Sequence, residues 1–245
     1  MPERLQKFLA RSGVGSRRFC ESLIKSNKIF VNEKVATIGS SVREGDVIKY
    51  NHKEIQYTQE ESEIFLLMLN KPEGVISSNK RQNKLPIVFD YLPKSDSSCR
   101  WISIGRLDVN SSGLMLFTNN GTFANFCMHP SSMIDREYLV RARGNFSPEK
   151  KEKMLSGIEI DGKILKLTDI VEGEKHSTNQ WFSVCLMSGK NREIRKIFDS
   201  VGLEISRLKR TRFGPLFLPP TLKKGDHLEL SVSYTHLTLP TKRIV

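Results

Sequence analysis

The apolar residues of this chain occur in short, strand-length runs, and this arrangement restricts the folds that it can adopt. The longest uninterrupted apolar run, Ile64–Leu69, has the length of a buried strand and is far too short to cross a bilayer. The start of the chain also lacks the apolar segment of a signal peptide. We therefore expect a cytoplasmic protein that has no membrane partner.

The region after residue 63 is predicted to be rich in strands, because Gly, Pro and Asn residues separate its short apolar runs. Two helices are also predicted. Ser147-Pro148-Glu149 is typical of a helix start, and a second amphipathic pattern runs from an N-cap at Asn191 to a stop at Gly202. Strands and helices do not alternate regularly, so the prediction is an α+β fold with a mixed, mainly antiparallel sheet. The predicted strands are Ile64–Leu69, Trp101–Ile104, Leu114–Thr118, Tyr138–Arg141, Trp181–Leu186 and His227–Leu230.

The composition combines enough apolar residues for a core with a strong positive charge. Hydrophobic residues make up 38% of the chain, and 39 Lys and Arg face 27 Asp and Glu, giving a formal charge of +12. These values exclude a disordered tail protein and indicate an acidic polymer as partner, with nucleic acid first. The cysteines stand singly, so neither a zinc site nor a disulfide scaffold is predicted. They are Cys20, Cys99, Cys127 and Cys185.

The first fifty residues are predicted to form a small αα-β domain. Helices near Pro2–Ser12 and Ser16–Ser26 are separated by a glycine-containing break, and short strands follow around Ile29–Val31 and Val47–Tyr50. Basic residues gather on one face of the first helix and at the start of the second, where they oppose the helix dipole unless an anion binds. This placement indicates a phosphate site. The residues are Arg4, Lys7, Arg11, Arg17 and Arg18.

Changes of composition predict the domain boundaries. Residues 1–50 form the first domain, and residues 51–63, which are polar and acidic, form a linker that leaves this domain mobile without RNA. The second domain is predicted over residues 64–231. The sequence that follows resembles translated adapter or vector sequence, so residues 232–245 are predicted to be a non-native tail.

An aspartate lies in a turn between two apolar runs, within the segment Ile104–Gly121, and three interpretations of it are open. Its neighbours can serve only as turn residues of a hairpin. Asp108 and the polar residues after it also match the opening of an EF-hand calcium loop, but Asn119 stands where a bidentate glutamate is needed. In the third interpretation Asp108 is a catalytic carboxylate, nucleophile or base, on a substrate that contacts Arg106.

The predicted helix that starts near Asn191 has an apolar face and a basic face. The basic face carries Arg192, Arg195 and Lys196, and it can be an ordinary solvated surface. A second cationic cluster follows after a short loop, and an extended phosphate backbone would explain both clusters. An arginine here could also pair with Asp108 and keep its carboxylate ionised. The second cluster consists of Arg207, Lys209, Arg210 and Arg212.

Few other residues qualify for chemistry. Tyr138 opens a strand, where it can pack against neighbouring strands, stack on a base or handle a proton. The five histidines are scattered, and no metal site or histidine triad can be assembled from their spacing. The sequence also lacks a G-x-G-x-x-G after a strand and a G-x-x-x-x-G-K-[ST] motif. A reaction without a cofactor or metal is therefore predicted.

Two sets of motifs in this chain resemble known families. The first set resembles an S4 RNA-binding domain and consists of Arg4–Arg18, Val31–Val35 and Gly45–Ile48. The second is similar to the ribosomal RNA pseudouridine synthases of the small-subunit type and consists of Leu69–Gly74, Gly105–Asp108 and Asn191–Arg195. The resemblance covers residues 3–231, and within the family the pattern is nearest to the branch that acts on large-subunit (23S) RNA.

The resemblance implies roles for particular residues. In that family the aspartate of the G-R-L-D motif is catalytic, and the matching residue is Asp108. By the same resemblance Tyr138 stacks on or deprotonates the target uracil, and Arg195 pairs with the catalytic carboxylate. Arg136 stands where many relatives carry lysine, a change that keeps the charge. The full set predicted to bind RNA is Arg4, Lys7, Arg11, Arg17, Arg18, Arg106, Lys190, Arg192, Lys196, Arg207, Lys209, Arg210 and Arg212.

The resemblance implies site-specific isomerisation of uridine in ribosomal RNA. Two other functions compete with this prediction. One is a non-catalytic S4-type RNA-binding or ribosome-assembly protein, in which Asp108 is only a turn residue. The roughly 170 residues after the linker argue against it, because a binding module folds without them. The other is an RNA methyltransferase, which would need a glycine-rich cofactor loop that the sequence lacks. We expect a monomer that acts on ribosomal RNA or on a subunit precursor.

Overall fold

The computed structural model describes residues 2–55, 57, 63–81, 84–94 and 100–230. These residues form two compact units. The N-terminal unit holds the described residues up to Ile64 and also residues 94, 100–101 and 119–121, which the sequence division did not assign to it. The larger unit holds the rest. Residues 56 and 58–62 of the predicted linker and the whole predicted tail, 232–245, lie outside the described residues.

The N-terminal unit packs two short helices against small antiparallel strands. The hydroxyl of Ser16 accepts a hydrogen bond from the backbone N–H of Phe19, so the predicted N-cap is confirmed. The core contains Phe8 from the first helix and Ile24 from the second, both almost completely buried. Its elements are β1 (Glu3–Arg4), α1 (Leu5–Arg11), α2 (Arg17–Lys25), β2 (Ile29–Val31), β3 (Lys34–Val35), β4 (Ser41–Val42), β5 (Ile48–Tyr50) and β6 (Lys53–Ile55).

The start of the predicted linker is a hairpin strand of this unit. Strand β6 pairs with β5, and the two are joined by Asn51 and His52, which both have positive φ angles, 50° and 62°. Tyr57 then stacks on Phe8, with ring centroids 5.3 Å apart. The start of this segment was predicted to be a linker because its sequence is polar. It is polar because β6 is an edge strand that exposes Lys53 and Glu54.

The larger unit is built on one extended sheet. In the described part of the chain its strand order is β13-β14-β10-β15-β9-β7-β17, with β8 paired to β9 and β16 paired to β15. Every pairing except β9 with β15 is antiparallel, which confirms the predicted α+β fold. Its elements are β7 (Leu66–Lys71), β8 (Ile102–Ile104), β9 (Ser112–Thr118), α3 (Gly121–Met128), β10 (Arg136–Arg143), α4 (Pro148–Ser156), β11 (Ile158–Ile160), β12 (Lys163–Leu165), β13 (Asp169–His176), β14 (Asn179–Leu186), α5 (Glu193–Ser200), β15 (Glu204–Phe213), β16 (Leu216–Phe217) and β17 (His227–Leu230).

Strand β15 lies in the middle of the sheet. For these residues the sequence predicted only a cationic cluster after a loop. It runs parallel to β9, and Arg210 pairs with Gly113. Gly113 has a φ of 100°, and a Cβ atom there would lie 2.2 Å from the carbonyl oxygen of Arg210. Glycine is therefore required where the two strands meet. The sequence did not predict β15 as a strand, because its charged residues interrupt the apolar pattern that is typical of a buried strand.

Helix α5 begins differently from the prediction. Asn191 does not cap it; the residue before the helix is Arg192, whose φ is 51°. The carboxylate of Glu193 accepts a hydrogen bond from the backbone N–H of Lys190 at 3.0 Å, which folds the preceding loop onto the first turn. Gly202, with a φ of 72°, follows the helix and confirms the predicted stop.

The other helices of the larger unit are short. The hydroxyl of Ser147 accepts from the backbone N–H of Lys150, so the predicted start of α4 is confirmed. Helix α3 was not predicted, because it has no acidic residue in its first turn and no basic residue in its last turn. Among the described residues, none of the helices is long and apolar enough to span a membrane.

Candidate active site

Asp108 lies in the loop between the antiparallel strands β8 and β9. Arg106 is exposed, the next residue, Leu107, is only 8% exposed, and Asp108 is half-buried. Ser77 fixes Leu107 on both sides: its hydroxyl donates to the carbonyl oxygen at 2.7 Å and accepts from the N–H at 3.2 Å. The loop is therefore anchored in the core one residue before Asp108, and the carboxylate remains accessible.

A buried lysine holds the same loop from below. Lys71, the last residue of β7, has no exposed surface. Its ammonium donates to the carbonyl oxygens of Pro72 (2.9 Å), Asp108 (3.2 Å) and Ser111 (2.7 Å). All three of its protons therefore have acceptors. Lys71 is not among the predicted site residues, although a lysine that ends an apolar strand just before a proline is a usable signal.

The environment of Lys71 changes its titration. Burial lowers the pKa of the ammonium from 10.5 to about 8, while the carboxylates of Asp108 and Glu73 act to raise it. The buried ammonium remains protonated below this pKa because the loop carbonyls accept its hydrogen bonds. The protonated side chain of Lys71 therefore fixes the backbone position of Asp108 from inside the protein.

We expect Lys71 to make the protein more stable as the pH rises from about 8 towards 10.5, the pKa values of the native and unfolded states. The unfolded chain binds the proton more tightly in this window, so the native state gains up to about 1.4 kcal/mol per pH unit. Urea unfolding of wild type and Lys71→Met at several pH values measures this gain as a difference.

The variant also removes a competing effect from the comparison. Burial raises the pKa of the Cys127 thiol from 9.0 to about 12, so this residue favours the unfolded state above pH 9. Both proteins contain Cys127, and the difference between their stabilities isolates Lys71. Parallel stability curves for the two proteins would show that Lys71 does not titrate in this window.

Arg195, in the first turn of α5, reaches the Asp108 loop from the other side. Its Nη2 donates to the carbonyl oxygen of Asn110 at 2.8 Å and to the hydroxyl of Ser111 at 3.3 Å. Its Nε lies 3.8 Å from Oδ2 of Asp108. Burial lowers the pKa of Arg195, and Asp108 raises it. The loop is thus held between two cations, and one of them lies beside the carboxylate.

Tyr138 lies in the same sheet, on β10. It is 8% exposed on β10, and β15 separates β10 from β9. Its partner on β15 is Arg210. Among the described residues, no hydrogen bond joins Tyr138 to Asp108 or Arg195. The structure therefore brings Asp108 and Arg195 together and places Tyr138 two strands away from β9.

Two residues predicted to bind RNA have internal partners instead. Arg210 is 2% exposed and donates from Nε to the carbonyl oxygen of Leu114 at 2.6 Å. Arg212, 7% exposed, pairs with Asp135 at 2.7 Å and Glu137 at 2.6 Å, and these carboxylates raise its pKa. Their positions on a central strand explain the burial, so neither belongs to an exposed basic surface.

The other predicted RNA-binding residues of the larger unit lie nearer to solvent. Lys209 is half-buried on β15. Lys190 donates to the carbonyl oxygen of Ile164 at 3.0 Å, and Lys196 forms an ion pair with Asp161. The exposed members of the set are Arg106, Lys190, Arg192 and Arg207.

In the N-terminal unit the predicted basic residues differ in their contacts. Arg11 and Lys7 both pair with Glu3, at 2.9 Å and 3.4 Å. Arg11 also lies over the Phe8 ring, 5.0 Å from its centroid, so it has a structural role. Arg4 donates to a backbone carbonyl. The exposed residues at the start of α2 are Arg17 and Arg18.

The calcium interpretation of the Asp108 loop does not agree with the fold. An EF-hand loop lies between two helices, whereas this loop lies between β8 and β9, and Asn119 follows β9. Within the described ranges, no group of three or more His, Cys, Asp or Glu side chains is arranged to hold a metal ion.

Comparison with known proteins identifies the two parts of the chain. The S4 domain pattern matches residues 3–48, and the pattern of the family described as RNA pseudouridylate synthase matches residues 65–200. The chain belongs to the RNA pseudouridylate synthase family. The matched range contains Lys71, Asp108, Tyr138 and Arg195, so the geometry described above lies within the synthase domain.

Several relatives of this pseudouridine synthase are named ribosomal large subunit pseudouridine synthase B. The protein of Pseudomonas aeruginosa is 42% identical over 93% of this chain and 59% of its own length. That of Vibrio cholerae is 40% identical over 95% of this chain and 73% of its own. That of Buchnera aphidicola is 41% identical over 94% of each chain. This synthase therefore spans between 59% and 94% of the length of these three relatives.

A solved structure shares the fold of the synthase. A crystal structure of a pseudouridylate synthase superposes with a TM-score of 0.65 and covers 97% of this chain and 100% of its own. The two sequences are 22% identical, so the likeness concerns the fold. The predictions of an S4 domain and of a pseudouridine synthase domain are both confirmed.

Proposed function

We propose that this pseudouridine synthase isomerises a uridine of large-subunit ribosomal RNA and that Asp108 is its catalytic residue. One observation carries the assignment of the residue: the side chain of Asp108 is 34% exposed and lies 3.8 Å from the guanidinium of Arg195. The family and the names of the relatives support the reaction and the substrate class.

The reaction needs only what this site offers. The bond between N1 and C1′ breaks, the uracil turns, and C5 bonds to C1′. C5 then loses its proton and N1 gains one, so the product has the same atoms as the substrate and no oxidant, reductant or group donor enters. An ionised carboxylate can start this sequence by attack on C1′ or by removal of a ribose proton. Asp108 fits both routes, with Arg195 as its counter-charge.

We assign Lys71 and Arg195 to positioning the catalytic loop. Lys71 holds the carbonyl groups of Asp108 and Ser111 from inside, and Arg195 holds Asn110 from the surface. Together they fix the backbone of the loop from Asp108 to Ser111. A preorganised carboxylate reacts faster because little reorganisation remains to be done when the substrate binds.

The target base has to leave its stack before Asp108 can reach the ribose, at a cost of a few kcal/mol. We propose that contacts between exposed cations and neighbouring phosphates offset this cost. Tyr138 is the aromatic residue that we assign to the uracil, by stacking or by proton transfer. The cations on the larger unit are Arg106, Lys190, Arg192 and Arg207.

We further propose that the S4 domain contributes RNA affinity and that the protein works as a cytoplasmic monomer. Its charge of +12 favours spreading over RNA rather than self-association. Light scattering after gel filtration, with and without an RNA fragment, measures the oligomeric state.

The proposed function is tested by mapping pseudouridine in ribosomal RNA. Transcripts of large-subunit and small-subunit RNA, and subunit precursors, are incubated with the protein, labelled with carbodiimide and read by primer extension. We expect one modified uridine in the large-subunit RNA. A protein that binds these RNAs tightly and modifies none of them would be the non-catalytic RNA-binding or ribosome-assembly protein.

Arg195→Lys is expected to reduce the rate of pseudouridine formation by about 100-fold at saturating RNA. Lysine keeps the charge but cannot hold Asn110, Ser111 and Asp108 together, and a small displacement of a reacting group has an effect of this size. Single-turnover kinetics measure the rate. Arg143→Lys, at an exposed position on β10, is the matched control. Equal rates for the two variants would remove Arg195 from the site.

A further inference from the structure

A cavity lies next to the Asp108 site, between α5 and the start of β15. Its volume is about 360 Å³, within the range of small-ligand sites. Arg195 lines it and also contacts the Asp108 loop, so a group bound in the cavity lies one side chain away from the catalytic carboxylate. Its lining residues are Arg192, Arg195, Lys196, Asp199, Leu203, Glu204 and Ile205.

Three lining residues of this cavity are cationic and suit an RNA backbone. Arg192, which precedes α5, is exposed, and Arg195 and Lys196 in α5 are half-buried. In the described chain, none of the ion pairs includes Arg192, whereas Lys196 pairs with Asp161 outside the cavity lining. Guanidinium groups bind phosphate well, so the arginines can hold the sugar-phosphate chain of a bound nucleotide.

Two lining residues of the cavity are unsuited to phosphate. Asp199 and Glu204 are exposed carboxylates, and no ion pair among the described residues neutralises either of them. Carboxylates repel phosphate but accept hydrogen bonds from amino groups. The buried side chain of Leu203 and the half-buried Ile205 add an apolar surface. Cations, carboxylates and an apolar surface together match a nucleotide: phosphate, base edge and base face.

We propose that this cavity binds an unpaired nucleotide of the RNA substrate next to the target uridine, and that Asp199 and Glu204 select a base with an exocyclic amino group. Adenine, cytosine and guanine each carry such a group, whereas uracil does not. The proposal rests on the proposed function for its substrate, and it assigns specificity to residues that take no part in the reaction.

The proposal is tested with stem-loop RNAs in which one unpaired nucleotide at a time lacks its amino group. Purine riboside replaces adenosine, inosine replaces guanosine, and pyrimidin-2-one riboside replaces cytidine. Affinity is measured by fluorescence anisotropy at fixed salt with the Asp108→Asn protein, and pseudouridine formation is measured with Asp108 intact. Each assay is repeated with Asp199→Ala/Glu204→Ala, and Glu152→Ala, at an exposed position on α4, is the control.

At one position the amine-free nucleotide is expected to weaken binding by about tenfold or more, because a charged acceptor loses its donor. The double variant is expected to bind the two RNAs within about twofold of each other, with an unchanged melting temperature. Discrimination that persists in the double variant, or no discrimination at any position with Asp199 and Glu204 present, would overturn the proposal. Discrimination in binding without any pseudouridine would instead overturn the proposed function and leave the cavity assignment standing.

Discussion

Asp108→Asn is expected to lower pseudouridine formation by at least about 1000-fold, because the amide can neither attack C1′ nor accept a proton from the ribose. The change is nearly isosteric, so the loop held by Lys71 and Arg195 keeps its shape. RNA binding is therefore expected to stay within about threefold of wild type, apart from the loss of one repulsive charge.

Two measurements on the same RNA separate chemistry from binding in this variant. Single-turnover formation of pseudouridine gives the rate, and anisotropy at fixed salt gives the affinity. Asp226→Asn, the same substitution at an exposed position before β17, is expected to leave both values unchanged. Wild-type rates in Asp108→Asn would return Asp108 to the role of a turn residue. A parallel loss of rate and affinity would indicate a binding role.

Lys71→Met is expected to destabilise the protein by about 3 to 5 kcal/mol, since three carbonyl groups inside the protein lose their donor. Methionine fills a similar volume, so the effect reports the hydrogen bonds and not a cavity. The melting temperature is expected to fall by roughly 10 °C. Activity is expected to fall further than stability alone requires, because one of the three carbonyls belongs to Asp108 and another to Ser111 in the same loop.

Thermal unfolding and urea titration measure this loss, and Lys223→Met in an exposed turn is the matched control. The Asp108→Asn variant provides a second comparison, because it should unfold like wild type while having no activity. A Lys71→Met protein as stable as wild type would show that water or a shifted backbone satisfies the three carbonyls. Lys71 would then not be the support of the loop.

Local signals in the sequence were sufficient for much of the fold. Ser16 and Ser147 cap helices where predicted, because the cap and the first turn lie within four residues of each other. Gly202 ends α5 for the same kind of local reason. The short apolar runs became strands of the large sheet since burial on one or both faces is their main requirement.

The predictions that were wrong depended on partners distant in the sequence. Arg210 and Arg212 look like a surface cluster, but their acceptors are Leu114 and Asp135, which β9 and the segment before β10 supply. Lys53 looked like part of a linker because an edge strand needs no apolar pattern. No local pattern marks such partners.

The same contrast between local signals and distant partners applies to the candidate site. Asp108 could be singled out because an acid between two apolar runs is conspicuous, and Arg195 because it stands on an amphipathic helix. Their approach to 3.8 Å depends on how α5 packs beside the β8–β9 loop, which the sequence does not show. Lys71 was overlooked because its role is defined by backbone carbonyls, which leave no trace in a residue pattern.

The strand order has a consequence for when the protein becomes active. The Asp108 loop is supported by Arg195, 85 residues beyond Asn110, and Asn70, next to Lys71, donates to the carbonyl oxygen of Leu222, 152 residues away. Contacts with such long loops form late, since their closure entropy has to be overcome before they stabilise anything. We therefore expect a chain still emerging from the ribosome to lack an assembled Asp108 loop, and we expect RNA modification to begin only after synthesis has passed β17.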